Sequence, residues 1–177
     1  MKKKLATVWL GGCSGCHMSL LDMDERLLEV AKLAEIVKSP IVDGKEFPRV
    51  DLALVEGAVC GDEHAREIEH IRSQSKILVA LGDCAVTGNV ATLRNYVPVQ
   101  AVLERSYVQA ESNDSGTLPR DGALQNLNAQ ALPLHELVKV DYFIPGCPPK
   151  ADAIFYVIDE LLHDRVPCLS GDAVRMG

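Results

Sequence analysis

The stretch that decides the fold is Leu5-Ala6-Thr7-Val8-Trp9-Leu10, followed directly by Gly11-Gly12-Cys13-Ser14-Gly15-Cys16. The first six residues form a mostly apolar run that ends at glycines, which predicts a buried strand. The glycines allow the backbone to approach a metal centre closely, and two cysteines separated by two residues can both point at it. By itself, a Cys-x-x-Cys pair fits half of a zinc site, a redox-active thiol pair or two ligands of an iron–sulfur cluster.

Further strands and helices alternate along the chain. Apolar runs that end at glycine-containing turns predict strands at 51–57, 76–81 and 138–144, and apolar spacing predicts helices at 19–38, 62–74, 85–95 and 151–162. This alternation indicates an α/β protein with a doubly wound parallel sheet, in a single domain over residues 1–177. Loop-forming residues dominate between about 97 and 134 and predict a long surface excursion, and residues 166–177 are expected to form a tail.

Cysteines follow three of the four predicted strands. Cys13 and Cys16 come after the first strand, Cys84 after the third and Cys147 after the fourth. Because ligands of doubly wound sheets bind at the carboxyl ends of the strands, we expect these four thiols to converge at one edge of the sheet.

The spacing of these cysteines favours an iron–sulfur cluster over the other two kinds of site. A zinc ribbon needs a second close Cys-x-x-Cys pair, which the sequence lacks, and a thioredoxin-like pair leaves Cys84 and Cys147 unexplained. A cluster tolerates ligands that are distant in the chain, and proline after a ligand cysteine, as in Cys147-Pro148, is found in iron–sulfur proteins. A zinc-stabilised interaction protein remains an alternative.

Composition narrows the functional class. The chain of 177 residues carries a net charge of −7, which argues against a nucleic-acid partner. No apolar run is long enough for a transmembrane segment, and Met1-Lys2-Lys3-Lys4 is not followed by the apolar core of a signal peptide. We therefore expect a cytoplasmic protein, in which six cysteines indicate metal binding or catalysis before disulfides.

Four motifs together resemble the small subunit of [NiFe]-hydrogenases: Gly-Gly-Cys13-Ser-Gly-Cys16, Val-Glu56-Gly57, Gly82-Asp-Cys84-Ala and Ile-Pro-Gly-Cys147-Pro-Pro. The resemblance runs from about residue 5 to about residue 165. It implies a flavodoxin-like domain that holds one proximal [4Fe–4S] cluster, with Cys13, Cys16, Cys84 and Cys147 as the iron ligands.

The resemblance also implies partners. Many such subunits continue into a second domain with ligands for two more clusters, whereas the sequence here offers only Cys60 and Cys168 in addition. It is therefore most similar to the small subunits of cytoplasmic, bidirectional, NAD(P)-coupled hydrogenases. In that group a large subunit carries the nickel–iron centre, and diaphorase subunits carry further clusters, flavin and the NAD(P) site. A related quinone-oxidoreductase subunit of respiratory complex I is the alternative, but it typically has adjacent cysteines and lacks the acid that is Glu56 here.

The roles of four other residues are less determined by the sequence. Glu56 ends an apolar strand on the cysteine side, and both a proton relay at a subunit contact and a structural hydrogen bond would explain it. We expect Cys60 and Cys168 to be structural or free thiols. His17 follows a predicted ligand, where a hydrogen bond to a cluster sulfur would tune the potential, but an ordinary loop histidine is the preferred interpretation.

Overall fold

A computed structural model describes residues 2–44, 46–119, 122 and 124–171, so the last six residues of the predicted tail lie outside the described residues. Seven strands and six α-helices follow one another in these ranges: β1 (Lys3–Trp9), α1 (Gly15–Leu21), α2 (Arg26–Leu33), β2 (Ala34–Lys38), β3 (Val50–Glu56), β4 (Val59–Gly61), α3 (Asp62–Gln74), β5 (Ser75–Leu81), α4 (Asp83–Thr87), α5 (Val99–Tyr107), β6 (Leu127–Leu132), β7 (Tyr142–Ile144) and α6 (Ala151–Leu162). Two 3-10 helices cover Asn89–Tyr96 and Leu134–Glu136.

Five strands form a parallel sheet in the order β2-β1-β3-β5-β7. Counted within this sheet, the order is 2-1-3-4-5, the flavodoxin-like arrangement. The predicted doubly wound, flavodoxin-like fold is thereby confirmed. The chain passes from β1 to β2 on one side and then to β3 on the other side, so the strand order reverses between β1 and β3. Ligands of such sheets bind in the crevice at this reversal, beyond the carboxyl ends of the strands.

Helices cover both faces of the sheet, which explains why the strand sequences are almost continuously apolar. On one face α1, α2 and α6 pack against side chains such as Leu52 and Leu54. On the other face α3 and Leu134 cover Ala53 and Val55. Burial of each large aliphatic side chain contributes about 2 kcal/mol to the stability of the fold. The sheet therefore holds the turns at its edge in fixed positions.

The predicted helix over 19–38 is wrong. Asp24 has a positive φ of 50°, which separates α1 from α2, and residues 34–38 form the edge strand β2. Ile36 lies opposite Leu5 of β1. The apolar spacing of residues 34–38 is helical. However, the β-branched Ile36 is stabilised more by pairing with β1, and this strand is distant in the sequence, so the local pattern does not predict the pairing.

Three other predicted elements are shorter or more structured than expected. The helix over 85–95 divides at Gly88, whose φ is 85°, into α4 and a 3-10 helix. The strand over 138–144 is reduced to β7. Within the predicted excursion at 97–134, the described residues include α5 and β6, and β6 pairs antiparallel with β4 in a separate two-stranded sheet.

None of the helices in the described ranges combines the length and the apolar composition that crossing a membrane requires.

Candidate metal centre

A cavity of about 120 Å³ lies at the carboxyl edge of the sheet. Its wall comes from the turns that follow β1, β3, β5 and β7: Gly12, Cys13, Gly15, Cys16, Glu56, Gly57, Asp83, Cys84, Gly146, Cys147 and Pro148. The structure thus brings together the four cysteines that the sequence places at three separate strand ends. Because two of those turns follow β1 and β3, the cavity lies where the strand order reverses.

Sharp backbone turns hold the cysteines at this edge. Ser14 has a φ of 65° and directs the chain into α1, which carries Cys16. Gly82 has a φ of 80°, and its N–H donates to the carbonyl of Ile144 at 2.8 Å, which ties the end of β5 to the end of β7. A Cβ at position 82 would lie 2.2 Å from the Sγ of Cys16, so only glycine leaves this sulfur its position.

The inner thiols of the cavity resist ionisation without a cation. Burial raises the pKa of Cys16 strongly, and the nearby charges of Glu56 and of the other three cysteines raise it further. Burial also raises the pKa of Cys84, and the proximity of Cys147, Cys13 and Glu56 adds to the effect. Cys16 and Cys84 therefore become thiolates more readily when a positively charged centre lies beside them.

The arrangement fits a cluster better than a single ion. No three His, Cys, Asp or Glu side chains in the described part of the chain lie close enough together to hold one metal ion. A zinc ion needs its ligands within roughly 2.0–2.3 Å of one point. Cysteines that surround a cavity leave space between them for iron and bridging sulfide, so the donor set fits an iron–sulfur cluster and fits zinc poorly.

Glu56 ends β3 at the cavity wall, where only 2% of the residue is exposed. Its Oε2 accepts a hydrogen bond from the backbone N–H of His17 at 2.6 Å and is also hydrogen-bonded to His17 Nδ1 at 2.7 Å. His17 Nε2 lies 3.0 Å from the hydroxyl of Thr7, which donates to Ser39 at 2.8 Å. All four residues are buried, and buried polar groups of this kind persist only when they are hydrogen-bonded. Glu56 therefore both faces the cavity and makes structural hydrogen bonds.

The interpretation of His17 as an ordinary loop histidine is wrong. His17 belongs to α1, is 3% exposed, and its ring meets Trp9 edge-on at 5.4 Å between centroids. Its main partner, Glu56, is 39 positions away in the chain. No local sequence pattern reports a contact of that kind.

Two further polar residues at the cavity were missed by sequence reasoning. Asp83 is buried, and its Oδ1 accepts a hydrogen bond from the N–H of Gly146 at 2.7 Å. Asn89 donates from its side-chain Nδ2 to the Sγ of Cys147 at 3.2 Å. The dipeptide Gly88-Asn89 is a turn signal, which the apolar spacing of the predicted helix obscured.

Cys60 and Cys168 lie apart from the cavity wall. Cys60 belongs to β4 and packs against Gly11, and its carbonyl accepts a hydrogen bond from Arg94 at 2.9 Å. Cys168 is exposed, and its backbone N–H donates to the hydroxyl of Tyr156. The structure thus separates these two cysteines from the four that converge.

Comparison with known proteins defines the class of this chain. A model of the family described as the 20 kDa subunit of NADH ubiquinone oxidoreductase matches residues 13–161. The chain belongs to this family.

Within the family, the chain is similar to hydrogenase subunits, as its motifs predict. It is 40% identical to the delta subunit of the NAD-reducing hydrogenase HoxS of Cupriavidus necator, over 93% of this chain and 80% of that subunit. It matches a chain in the crystal structure of NAD⁺-reducing [NiFe]-hydrogenase in the H₂-reduced state with a TM-score of 0.97 and 36% identity, and both chains are covered completely. The predicted resemblance to hydrogenase small subunits is confirmed.

Archaeal relatives are longer. The chain is 37% identical to one subunit of the F420-non-reducing hydrogenase of Methanothermobacter marburgensis, over 91% of this chain but 54% of that subunit. A relative in Archaeoglobus profundus, 28% identical over 94% of this chain and 58% of its own length, is named an iron-sulfur subunit of such a hydrogenase. The chain therefore spans little more than half the length of these two relatives.

Proposed function

We propose that the chain is the electron-transfer small subunit of an NAD(P)-coupled [NiFe]-hydrogenase. It relays electrons between the nickel–iron centre of a large subunit and diaphorase subunits that carry flavin and the NAD(P) site. The chain is thus part of an oxidoreductase complex and does not catalyse hydrogen turnover alone. The observation that carries this proposal is the cavity at the strand reversal, lined by four cysteines. The similarity to NAD-reducing hydrogenase subunits supports it.

Cys13, Cys16, Cys84 and Cys147 are the proposed iron ligands of one [4Fe–4S] cluster. When bound, such a cluster supplies reversible one-electron transfer. The chain contributes four thiolates from firmly held turns, and the glycines of those turns keep side-chain carbon away from the sulfurs. Pro148 lines the cavity beside Cys147 and brings no N–H group to this wall.

Glu56 is the proposed proton-handling residue of this subunit. Hydrogen chemistry moves protons as well as electrons, and Glu56 is a buried acid at the cavity wall. The carboxylate oxygen Oε2 accepts a hydrogen bond from the backbone N–H of His17 and is hydrogen-bonded to His17 Nδ1, and these two contacts fix the orientation of the carboxyl group. A carboxyl group held in this way can accept and release a proton at a subunit contact.

The large subunit is proposed to cover the open side of the cavity. Cys13 and Cys147 are exposed, and two apolar side chains next to the cysteine-bearing segments are also exposed, Met18 by 60% and Val90 by 55%. Apolar side chains around an exposed metal site favour a protein partner, which would exclude water and oxygen. We therefore expect the isolated chain to be poorly soluble or to lose its cluster, and a stable, monomeric, cluster-loaded preparation would contradict an obligate complex.

The remaining alternatives are weaker. None of the six cysteines is joined to another by a disulfide, which agrees with the proposed cytoplasmic location, where disulfides are rare. A complex-I-like quinone-oxidoreductase role rests on the family match alone, whereas the relatives named above are hydrogenase subunits.

Purification of the assembled complex without oxygen tests the proposal. Metal analysis and electron paramagnetic resonance (EPR) spectroscopy should assign about four iron atoms, and one cubane signal, to this chain beyond the metals of its partners. The diaphorase subunits are removed in a parallel preparation, so that their clusters do not contribute. Stoichiometric zinc in a colourless chain would overturn the proposal, and eight or more iron atoms would show that the ligand set is incomplete.

A further inference from the structure

One residue just beyond α4 donates a hydrogen bond to one of the four cysteines. The side-chain Nδ2 of Asn89 donates to the Sγ of Cys147 at 3.2 Å. Asn89 therefore points an N–H dipole at a sulfur atom of the cavity wall.

The backbone holds Asn89 in an uncommon conformation. Its φ is 36°, directly after Gly88 with a φ of 85°, and among residues with a side chain asparagine tolerates positive φ best. The hydroxyl of Thr92 donates to the carbonyl of Asn89 at 2.7 Å, and the N–H of Thr92 donates to the carbonyl of Gly88 at 3.2 Å. The segment is fixed from both sides, so the amide of Asn89 is aimed at Cys147 before any partner binds.

We propose that Asn89 sets the reduction potential of the cluster through its hydrogen bond to Cys147. The inference rests on the proposed function, because it takes Cys147 as an iron ligand. Reduction of an iron–sulfur cluster increases the negative charge on its sulfurs, and an N–H donor stabilises the more negative state. Asn89 therefore raises the potential and eases electron entry. A partner that covers the exposed mouth excludes water from this bond and strengthens its effect.

The alternative is that asparagine occupies position 89 only because its backbone has positive φ. Asn89→Gly separates the two explanations, because glycine adopts this φ freely but has no amide group. Asn89→Asp is a second variant of similar size that also tolerates the conformation, loses the N–H donor and adds a negative charge beside the sulfur. Asn113→Gly is the matched control, because the amide of Asn113 donates to the carbonyl of Tyr107 at 2.9 Å and to no cysteine.

The experiment is a redox titration of the assembled complex, followed by EPR of the cluster. The midpoint potential should shift to more negative values in Asn89→Gly, shift further in Asn89→Asp, and stay at the wild-type value in Asn113→Gly, with iron content unchanged in all three. An unchanged potential in a fully loaded Asn89→Gly complex would overturn the inference and leave the proposed function intact. Loss of the cluster in both Asn89 variants would also overturn it, since the bond would then be structural. A wild-type complex without a cubane signal would instead remove the proposed function and this inference with it.

Discussion

The two ends of the parallel sheet differ in where their ionisable side chains lie: near the surface at the amino end and buried at the carboxyl end. At the amino end, where β1, β3 and β5 begin, ionic groups lie near the surface in pairs such as Lys3 with Asp164 and Lys76 with Asp51. At the carboxyl end, Glu56 and Asp83 are buried beside four cysteines. Exposed ion pairs change stability little, whereas buried polar groups are costly unless they are fully hydrogen-bonded. The buried polar groups, which are the costly ones, therefore lie at the end of the sheet where the four cysteines converge.

The largest expected effect tests whether the carboxyl end is the metal site. Serine at Cys13, Cys16, Cys84 or Cys147 should remove or degrade the cluster and abolish hydrogen-coupled activity, because a hard oxygen donor replaces a soft thiolate. Iron content and EPR of each complex measure the result. Cys60→Ser and Cys168→Ser are the controls and should keep near-normal iron. If Cys60→Ser empties the site while Cys84→Ser does not, the ligand set is wrong.

The next largest effect distinguishes a proton-transfer role from a structural role for the two buried acids, Glu56 and Asp83. Glu56→Gln keeps the shape of the side chain but removes its proton-exchanging group, so hydrogen turnover per assembled complex should fall roughly tenfold or more while the cluster spectrum is kept. Asp83→Ala is the comparison, because it removes the Oδ1 that accepts the N–H of Gly146, and it should act through iron content instead. Full specific activity in an intact Glu56→Gln complex would remove Glu56 from the proton path.

A smaller effect tests the glycine that makes space for Cys16. Gly82→Ala forces alanine into a backbone conformation, φ 80° and ψ 163°, that essentially only glycine adopts, at a cost of about 1–3 kcal/mol, and places its Cβ close to the sulfur of Cys16. We expect iron content to fall severalfold while the complex still assembles. Gly122→Ala is the control, because none of the described residues brings an atom within 4 Å of the added carbon. Equal iron content in the two variants would show that the turn adapts and that the contact at position 82 does not matter.

The smallest expected effects are changes in the pH dependence of stability, and they come from ion pairs at the amino end of the sheet. Burial raises the pKa of Asp141, but the N–H of Leu78 and the guanidinium of Arg72 outweigh it, so the pKa lies below its ordinary value. A pKa that is lower in the folded than in the unfolded protein stabilises the fold at pH values above the unfolded pKa of about 3.9. This stabilisation is lost as the pH falls through the pKa of the folded state. Asp141→Asn should therefore cost about 1 kcal/mol near neutral pH, and less in acid.

Hydrogen exchange of the β5 and β7 amides in the complex measures this cost as roughly fivefold faster exchange near neutral pH. Asp164→Asn is the matched control, because the carboxyl group of Asp164 pairs with Lys3 at the surface and is largely exposed, and it should change exchange little. A larger effect for Asp164 than for Asp141 would contradict the contrast between exposed and partly buried pairs at this end.

The sequence by itself determined the class of fold and the convergence of the cysteines. Apolar strands that end at glycine and alternate with helices are a local signal, and in a parallel sheet the carboxyl ends of strands necessarily meet at one edge. The sequence alone therefore groups Cys13, Cys16, Cys84 and Cys147 at that edge, and the motifs around them indicate the family.

Only the tertiary structure decided which residues surround those cysteines. The edge strand β2 pairs with β1 although its own spacing is helical, because the favourable interaction comes from a strand that is remote in sequence. For the same reason the sequence did not predict the hydrogen bonds between His17 and Glu56 and between Asn89 and Cys147. The partners are 39 and 58 positions apart in the chain. Local patterns report which face of an element is buried, whereas side-chain hydrogen bonds across the edge of a sheet depend on how distant turns come together in space.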